Sequence, residues 1–337
     1  MGTLSWVEPR RGAFATCWEL LPHVSRTFAL TIPVLLEPLR SYVGVAYLLC
    51  RIADTVEDAE DLPLERRREL FECFLELLNR PLDPLERRRF PDLWSGRVDA
   101  AHERLIRRTG DVLLAFASLP EPTRRPIRAC LQEMIGGMAF TPIAGPGSRT
   151  VEVCADLPAL ERYCHVVAGT VGILLSRLFA GEMPGDWLSP ERLEQGRRFG
   201  LGLQLTNVLK DETSDRRRGI SYIPAIYREN PEEGALLSAE GARVLVGRAL
   251  EHFDEANAYV LSLPPRRADM RLFCLWASHL ALATLALVAA HPGRPVKVSR
   301  LRVGEILEAT RARAKDNARL KELYRDLRAT AASARPA

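Results

Sequence analysis

"YLLCRIADTVEDAED", Tyr47 to Asp61, starts as the apolar flank of a helix and ends with Asp54, Glu57, Asp58, Glu60 and Asp61 crowded together. Apolar residues spaced three and four apart predict an α-helix. Acids at its C-terminal end repel one another and face the negative pole of the helix dipole, each effect costing a few tenths of a kcal/mol. A positive partner is needed to offset that cost.

The same periodicity runs through most of the chain, and no stretch of any length alternates as a half-buried strand does. The reading is all-α, with helices predicted near 13–21, 37–57, 64–79, 98–118, 121–140, 156–181, 189–215, 238–262, 266–290 and 301–328. Turn signals such as "RPLDP", "IAGPGSR", "GEMPGDW" and "AHPGRP" separate them. No linker is long or biased enough to divide the chain. A single domain, 1–337, is expected, with a core of about 12–329 and frayed termini.

A second acidic arrangement lies in "LQLTNVLKDETSDRRRGISYIP", where Asn207, Asp211 and Asp215 are spaced four and four. On a helix this places an amide and two carboxylates on one stripe, as Asp54 and Asp58 share one face of theirs. Gly219 is the predicted helix stop. One such pair reads as a solvated helix end; two, each preceded by an apolar helix, read as a binding site. Carboxylates without a His or Cys cluster select a hard cation, most naturally Mg2+, held by one or two carboxylates together with substrate phosphate oxygens. Arg51, one turn before Asp54, and Lys210 and Arg218, bracketing the second pair, suit the charge of a departing pyrophosphate.

Composition narrows the alternatives. The 337 residues are 47% apolar, enough for a sizeable core, and 47 basic against 43 acidic residues leave a net charge of only +4. The arginines are scattered, so nucleic-acid binding is not expected. Seven cysteines without a CxxC pair suit a reducing compartment. The opening "MGTLSWVEPRRG" has no apolar core for a signal peptide, Trp6 stands where a myristoylation signal needs Ser or Thr, and the charged C-terminal stretch is no anchor. The uncharged run Leu272–Ala290 has the length of a membrane span but is read as a helix buried inside a helical protein. The expectation is a cytoplasmic protein, monomeric, that touches membranes transiently.

In these residues the chain resembles the squalene/phytoene synthase family, the head-to-head prenyltransferases. The segments that carry the likeness are "HVSRTFALTI", "YLLCRIADTVED", "YCHVVAGTVGILLSRLF" and "GLGLQLTNVLKDETSDRRRGISYIP". It is most similar to squalene synthases, through "DTVED", "YCHVVAGTVGILLSRLF" and the late pair "FCLWASHLALATLAL" and "PVKVSR". The resemblance implies a helical bundle of the isoprenoid synthase type with a central cavity. It also implies an Mg2+-dependent condensation of two farnesyl diphosphates to presqualene diphosphate, then reduction by NADPH to squalene, serving sterol or hopanoid synthesis.

The resemblance also assigns residues. Asp54, Glu57, Asp58, Asp211 and Asp215 would hold the metal and diphosphate, aided by Asn207. Ser25, Arg26, Thr27, Tyr47, Arg51 and Arg218 would line the diphosphate and reaction pocket. Tyr163 would take the proton as the cyclopropane closes, and Lys297 falls in the NADPH-linked segment. The chemistry of the residues agrees, because ionising an allylic diphosphate needs a dry chamber with aromatic walls, for which Phe28, Tyr47, Tyr163 and Phe179 are candidates. His165 is read as structural, and Gly169 and Gly172 as permitting close helix packing or substrate approach rather than forming a phosphate loop. No strand followed by GxGxxG offers a Rossmann site.

Three departures favour the condensation over the reduction: Lys210 in place of the usual Arg, "ISYIP" in place of "FWP", and Ser299 where a second basic residue is expected. The alternatives are dehydrosqualene or phytoene synthesis, presqualene diphosphate synthesis without the reductive step, a terpene cyclase that shares only the metal logic, and a non-catalytic relative acting in assembly or lipid handling.

Overall fold

The computed structural model describes residues 7–25, 27–59, 61–80, 83–139, 150–229 and 236–336. The all-α expectation holds. Fifteen α-helices occur among the described residues: α1 (Val7–Val24), α2 (Phe28–Thr31), α3 (Leu39–Asp58), α4 (Leu64–Leu77), α5 (Glu86–Leu93), α6 (Ala100–Arg107), α7 (Thr109–Ala117), α8 (Glu121–Met138), α9 (Leu157–Cys164), α10 (Thr170–Ala180), α11 (Pro190–Arg217), α12 (Ala239–Ser262), α13 (Ala268–Ala290), α14 (Arg300–Arg311) and α15 (Asn317–Ser333). The strands are a two-residue parallel pair, β1 (Val151–Glu152) and β2 (Ile220–Ser221).

The chain divides into two compact units, one within 1–141 and 177–184, the other within 142–176 and 185–337. In the first, α3 packs against α1, α7 and α8. Its apolar stripe, including Leu48, Leu49, Ile52, Ala53 and Val56, is buried, which leaves the acids of its last turn on the remaining face.

In the second unit the 28-residue α11 is the central strut, contacting α9, α12 and α13. Where α10 and the turn that precedes it meet α11 the backbones nearly touch: a Cβ on Gly172 would stand 1.9 Å from the Gly196 carbonyl oxygen, and one on Gly200 2.1 Å from that of Ala168. Only glycine fits there, which bears out the packing reading of Gly172. A π-helical turn, His165–Gly169, joins α9 to α10 within the predicted helix 156–181. Helix α13 is apolar and long enough to cross a membrane, as is the run Leu157–Ala180, yet every α13 side chain from Asp269 to His279 is buried against protein. Arg271, fully buried there, donates to the Leu263 and Ala314 carbonyls and so closes the ends of α12 and the α14–α15 connection.

Several helix boundaries differ from the sequence expectation. The predicted 98–118 breaks at Arg108 into α6 and α7, and 301–328 breaks before Asp316, whose carboxylate accepts from the Ala318 and Arg319 amides and starts α15. Helix α5, "ERRRFPDL", was not expected because it is charge-dense and contains Pro91. Helices α1 and α15 reach Val7 and Ser333, further than the frayed termini allowed. Residue Glu60 lies outside the described residues. Asp61 is exposed and accepts from the Arg97 amide at 2.8 Å.

Candidate functional site

In the first unit the candidate residues follow α3 turn by turn. Ser25 Oγ accepts from the Phe28 amide at 2.9 Å, which fixes the start of α2, and Thr27 is the half-buried residue before it. Arg26 lies outside the described residues. The Phe28 ring rests 5.0 Å from that of Tyr47. Tyr47 donates to the Val24 carbonyl at 3.2 Å. Burial raises its phenol above the usual value, a shift softened by Ser25 and Arg51. Ser25, Phe28, Tyr47 and Arg51 are thus brought together; Phe179, also in this unit, is fully buried.

One turn further, Arg51 reaches Asp54 at 3.5 Å, with side-chain exposures of 29% and 30%. Burial, opposed by Arg51 and reinforced by Asp58, pushes Asp54 up to about 6. Glu57 is half-buried and Asp58 exposed, so the two aspartates span a gradient from protein to solvent one turn apart.

Arg51 has a second partner that spacing in the sequence gave no means of finding. Its Nη2 and Nε lie 2.9 and 3.2 Å from His102 Nε2, and His102 Nδ1 lies 2.7 Å from an Asp99 carboxylate oxygen. Asp99 also caps α6, accepting from the Ala101 and His102 amides. Burial resists the Asp99 charge, but those amides and the His102 ring together hold the carboxyl below its usual range.

In the second unit Asn207, Asp211 and Asp215 lie along α11, the asparagine exposed and both aspartates half-buried. Lys210 Nζ sits 2.6 Å from both oxygens of Asp211, and Arg218 lies 3.3 Å from Asp215. Each acid thus has a basic neighbour. Gly219 stops the helix at φ +78°, as expected, and β2 follows at once, its pairing with β1 begun by the Val151 amide donating to the Gly219 carbonyl at 2.8 Å. The neighbouring Glu212, buried, accepts from the Leu237 amide at 3.2 Å, while Thr213 donates to the Gly293 carbonyl at 3.3 Å. These bonds fix the acid-bearing end of α11 against the 236–238 and 291–299 segments.

Tyr163, half-buried near the end of α9, stacks on Tyr222 with centroids 4.5 Å apart and an angle of 25°. Tyr222 belongs to "ISYIP", so that departure supplies the ring under Tyr163. Lys297 is exposed between α13 and α14. Ser299, the other departure, caps α14, its Oγ accepting from the Arg302 amide at 3.2 Å.

The donor chemistry suits a hard cation. Among the described residues no group of three or more His, Cys, Asp or Glu could hold a metal ion by itself. Paired carboxylates one helical turn apart are what Mg2+ needs when phosphate oxygens and water complete its shell. The raised Asp54 carboxyl agrees with that fit, because a divalent cation would offset the burial, and the lesser Asp58 charge, that raise it. Fit to NADPH rests on Lys297 alone.

The profile of the squalene/phytoene synthase family matches residues 21–306. The chain is similar to the squalene synthase of Bos taurus, 29% identical over 281 residues that cover 80% of this chain and 62% of that protein. It is also similar to the inactive squalene synthase 2 of Arabidopsis thaliana, 27% identical over 298 residues, 83% of this chain and 65% of the relative. The chain thus spans about three fifths of the length of the curated relatives it matches. Among solved structures, TcSQS in complex with the ligand BPH1237 shares the fold with a TM-score of 0.70 at 24% identity, covering 96% of this chain and 100% of that one.

Proposed function

The chain belongs to the squalene/phytoene synthase family, and from that premise we propose that it joins two farnesyl diphosphates head to head into presqualene diphosphate, with reduction to squalene as the second step. In this reading each of the two units contributes one acid pair to the reaction. The observation that carries this reading is the recurrence of one device: two aspartates a turn apart at the end of a buried helix, each pair with a basic side chain beside it.

In this reading Asp54, Glu57, Asp58, Asp211 and Asp215 would hold Mg2+, which supplies positive charge for the leaving diphosphate. The chain's own cations do the same work from fixed positions: Arg51, Lys210 and Arg218 would neutralise pyrophosphate as the first C–O bond breaks. Asn207, Ser25, Arg26 and Thr27 would orient the diphosphates by hydrogen bonds. Phe28 and Tyr47 present ring faces to the allylic cation, which a dry pocket shields from water. The double bond of the second farnesyl chain attacks that cation, and Tyr163 Oη takes the proton released as the cyclopropane closes.

The inactive relative makes turnover a matter for experiment. Purified protein with farnesyl diphosphate and Mg2+ should release presqualene diphosphate, and squalene once NADPH is added. No consumption of substrate under either condition rejects the reading in favour of an assembly or lipid-handling role. A second reading, presqualene diphosphate or dehydrosqualene as final product, is favoured by one observation: Ser299 spends its hydroxyl capping α14 where a second phosphate-binding cation is expected. The same product identical with and without NADPH supports that alternative. Lys297 is the residue on which the reductive step would depend. The protein would act in the cytoplasm, meeting a membrane surface to unload product.

A further inference from the structure

Arg51 is held from two sides: by Asp54 on its own helix and, 51 positions away, by His102 at the start of α6. The geometry determines the protons. A guanidinium only donates, and an ionised carboxylate only accepts. Arg51 meets His102 Nε2 with both Nη2 and Nε, and Asp99 meets His102 Nδ1. The ring is therefore neutral, with its hydrogen on Nδ1 donated to Asp99 and its Nε2 lone pair facing the guanidinium. A hydrogen on Nε2 would point at two N–H groups.

We infer that His102 and Asp99 form a positioning pair that orients the Arg51 guanidinium toward the diphosphate beside Asp54. Without that acceptor, Arg51 would swing fully onto Asp54 and neutralise the carboxylate that the ligand needs. With it, two of the Arg51 nitrogens are occupied by a neutral group and the cation's charge stays available. The arrangement parallels catalytic sites in which a carboxylate fixes a histidine tautomer so that the far nitrogen can act. His102 is 19% exposed, enclosed enough for its orientation to be set by these partners. The inference rests on the proposed reading of Arg51 as a diphosphate-binding residue.

The test measures binding of inorganic pyrophosphate in the presence of Mg2+, product formation from farnesyl diphosphate, and the ring-nitrogen NMR signals of His102. Wild-type His102 should show a protonated Nδ1 and a bare Nε2. His102→Leu should weaken pyrophosphate binding and raise KM by about 10- to 100-fold. His102→Gln, whose amide oxygen can reach the position of Nε2, should recover most of the loss. Asp99→Asn keeps the α6 cap but offers Nδ2–H to the ring; it should move the ring hydrogen to Nε2 and reproduce the leucine defect. Equal losses in Gln and Leu variants, a leucine variant indistinguishable from wild type, or an Nε2-protonated wild-type ring each overturn the inference. A wild-type protein that neither binds magnesium pyrophosphate nor consumes farnesyl diphosphate overturns the underlying reading and this one with it, whereas a competent wild type with an unaffected leucine variant overturns the positioning role alone.

Discussion

Tyr163 and Tyr222 lie nearly parallel, 4.5 Å between ring centres, one on α9 and the other just beyond β2. The stack couples the proposed proton acceptor to the strand that leaves the acid-bearing end of α11. Tyr222 is 7% exposed and so is a fixed surface for Tyr163 to lie on.

Removing that surface should cost turnover before affinity. Offset aromatic pairs contribute about 0.5–1.5 kcal/mol beyond their burial. Tyr222→Phe keeps the ring and should leave kcat near the wild-type value. Tyr222→Leu should lower kcat several-fold at little-changed KM, read from steady-state kinetics with farnesyl diphosphate. An unaltered kcat in the leucine variant would show that Tyr163 needs no such support.

Asp54 predicts an exchange of stability for function. A carboxyl raised to about 6 from 3.8 keeps a proton in the folded state that the unfolded chain has lost. Its contribution to stability therefore falls as pH climbs through that window and stays low above it. Asp54→Asn should melt like wild type near pH 4 and several degrees higher near pH 8, worth about 1–2 kcal/mol once the 30% exposure is discounted. Product formation should be lost in the same variant. Thermal scans across pH check the first claim and a product assay the second.

Acid should destabilise the second unit through histidines. His279 Nδ1 donates to Thr310 Oγ1 at 2.8 Å, since the Thr310 hydroxyl spends its own hydrogen on the Ile306 carbonyl at 2.7 Å. Burial lowers His279 to about 4 from 6.5, and His252 likewise, with Arg248 adding to its shift. A base lowered on folding gives stability that is present above 6.5 and lost as pH falls toward 4, on the order of 3 kcal/mol for a fully buried ring. His279→Asn retains the Thr310 contact and should flatten the pH dependence of unfolding over that range. An unchanged slope in denaturant titrations would rule His279 out as its source.

The backbone contact between α10 and α11 allows no side chain. Gly172→Ala should destabilise by about 1–3 kcal/mol or more, because the methyl would meet the Gly196 carbonyl. Gly247, half-buried in α12, whose Cβ would meet nothing within 4 Å, is the control: Gly247→Ala should be neutral or stabilising in its helix. Chemical denaturation of both variants decides.

What the sequence revealed was local. Arg51, Asp54 and Asp58 lie within two turns, so their shared face followed from spacing alone, as did the Asn207, Asp211 and Asp215 stripe and the Gly219 stop. What it concealed was contact between distant residues. Nothing in "DAAHER" distinguishes His102 from a surface histidine, because its partner is on another helix. Tyr222 was read as a motif departure, and only the paired strands explain why a ring there meets Tyr163. Helix α5 was missed because its burial of Phe90 against Phe74, with centroids 5.4 Å apart, outweighs a poor local pattern.

The central claim is that the two acid pairs serve one reaction. It is tested most directly by pyrophosphate release from farnesyl diphosphate in the presence of Mg2+, comparing wild type with Asp58→Asn in α3 and Asp211→Asn in α11. Folding of each variant is verified by circular dichroism. Loss of a charge-stabilising group at a reacting centre typically costs about 100- to 1000-fold in rate, and both variants should fall by that order while remaining folded. Wild-type release rates in a folded variant of either pair would contradict the account.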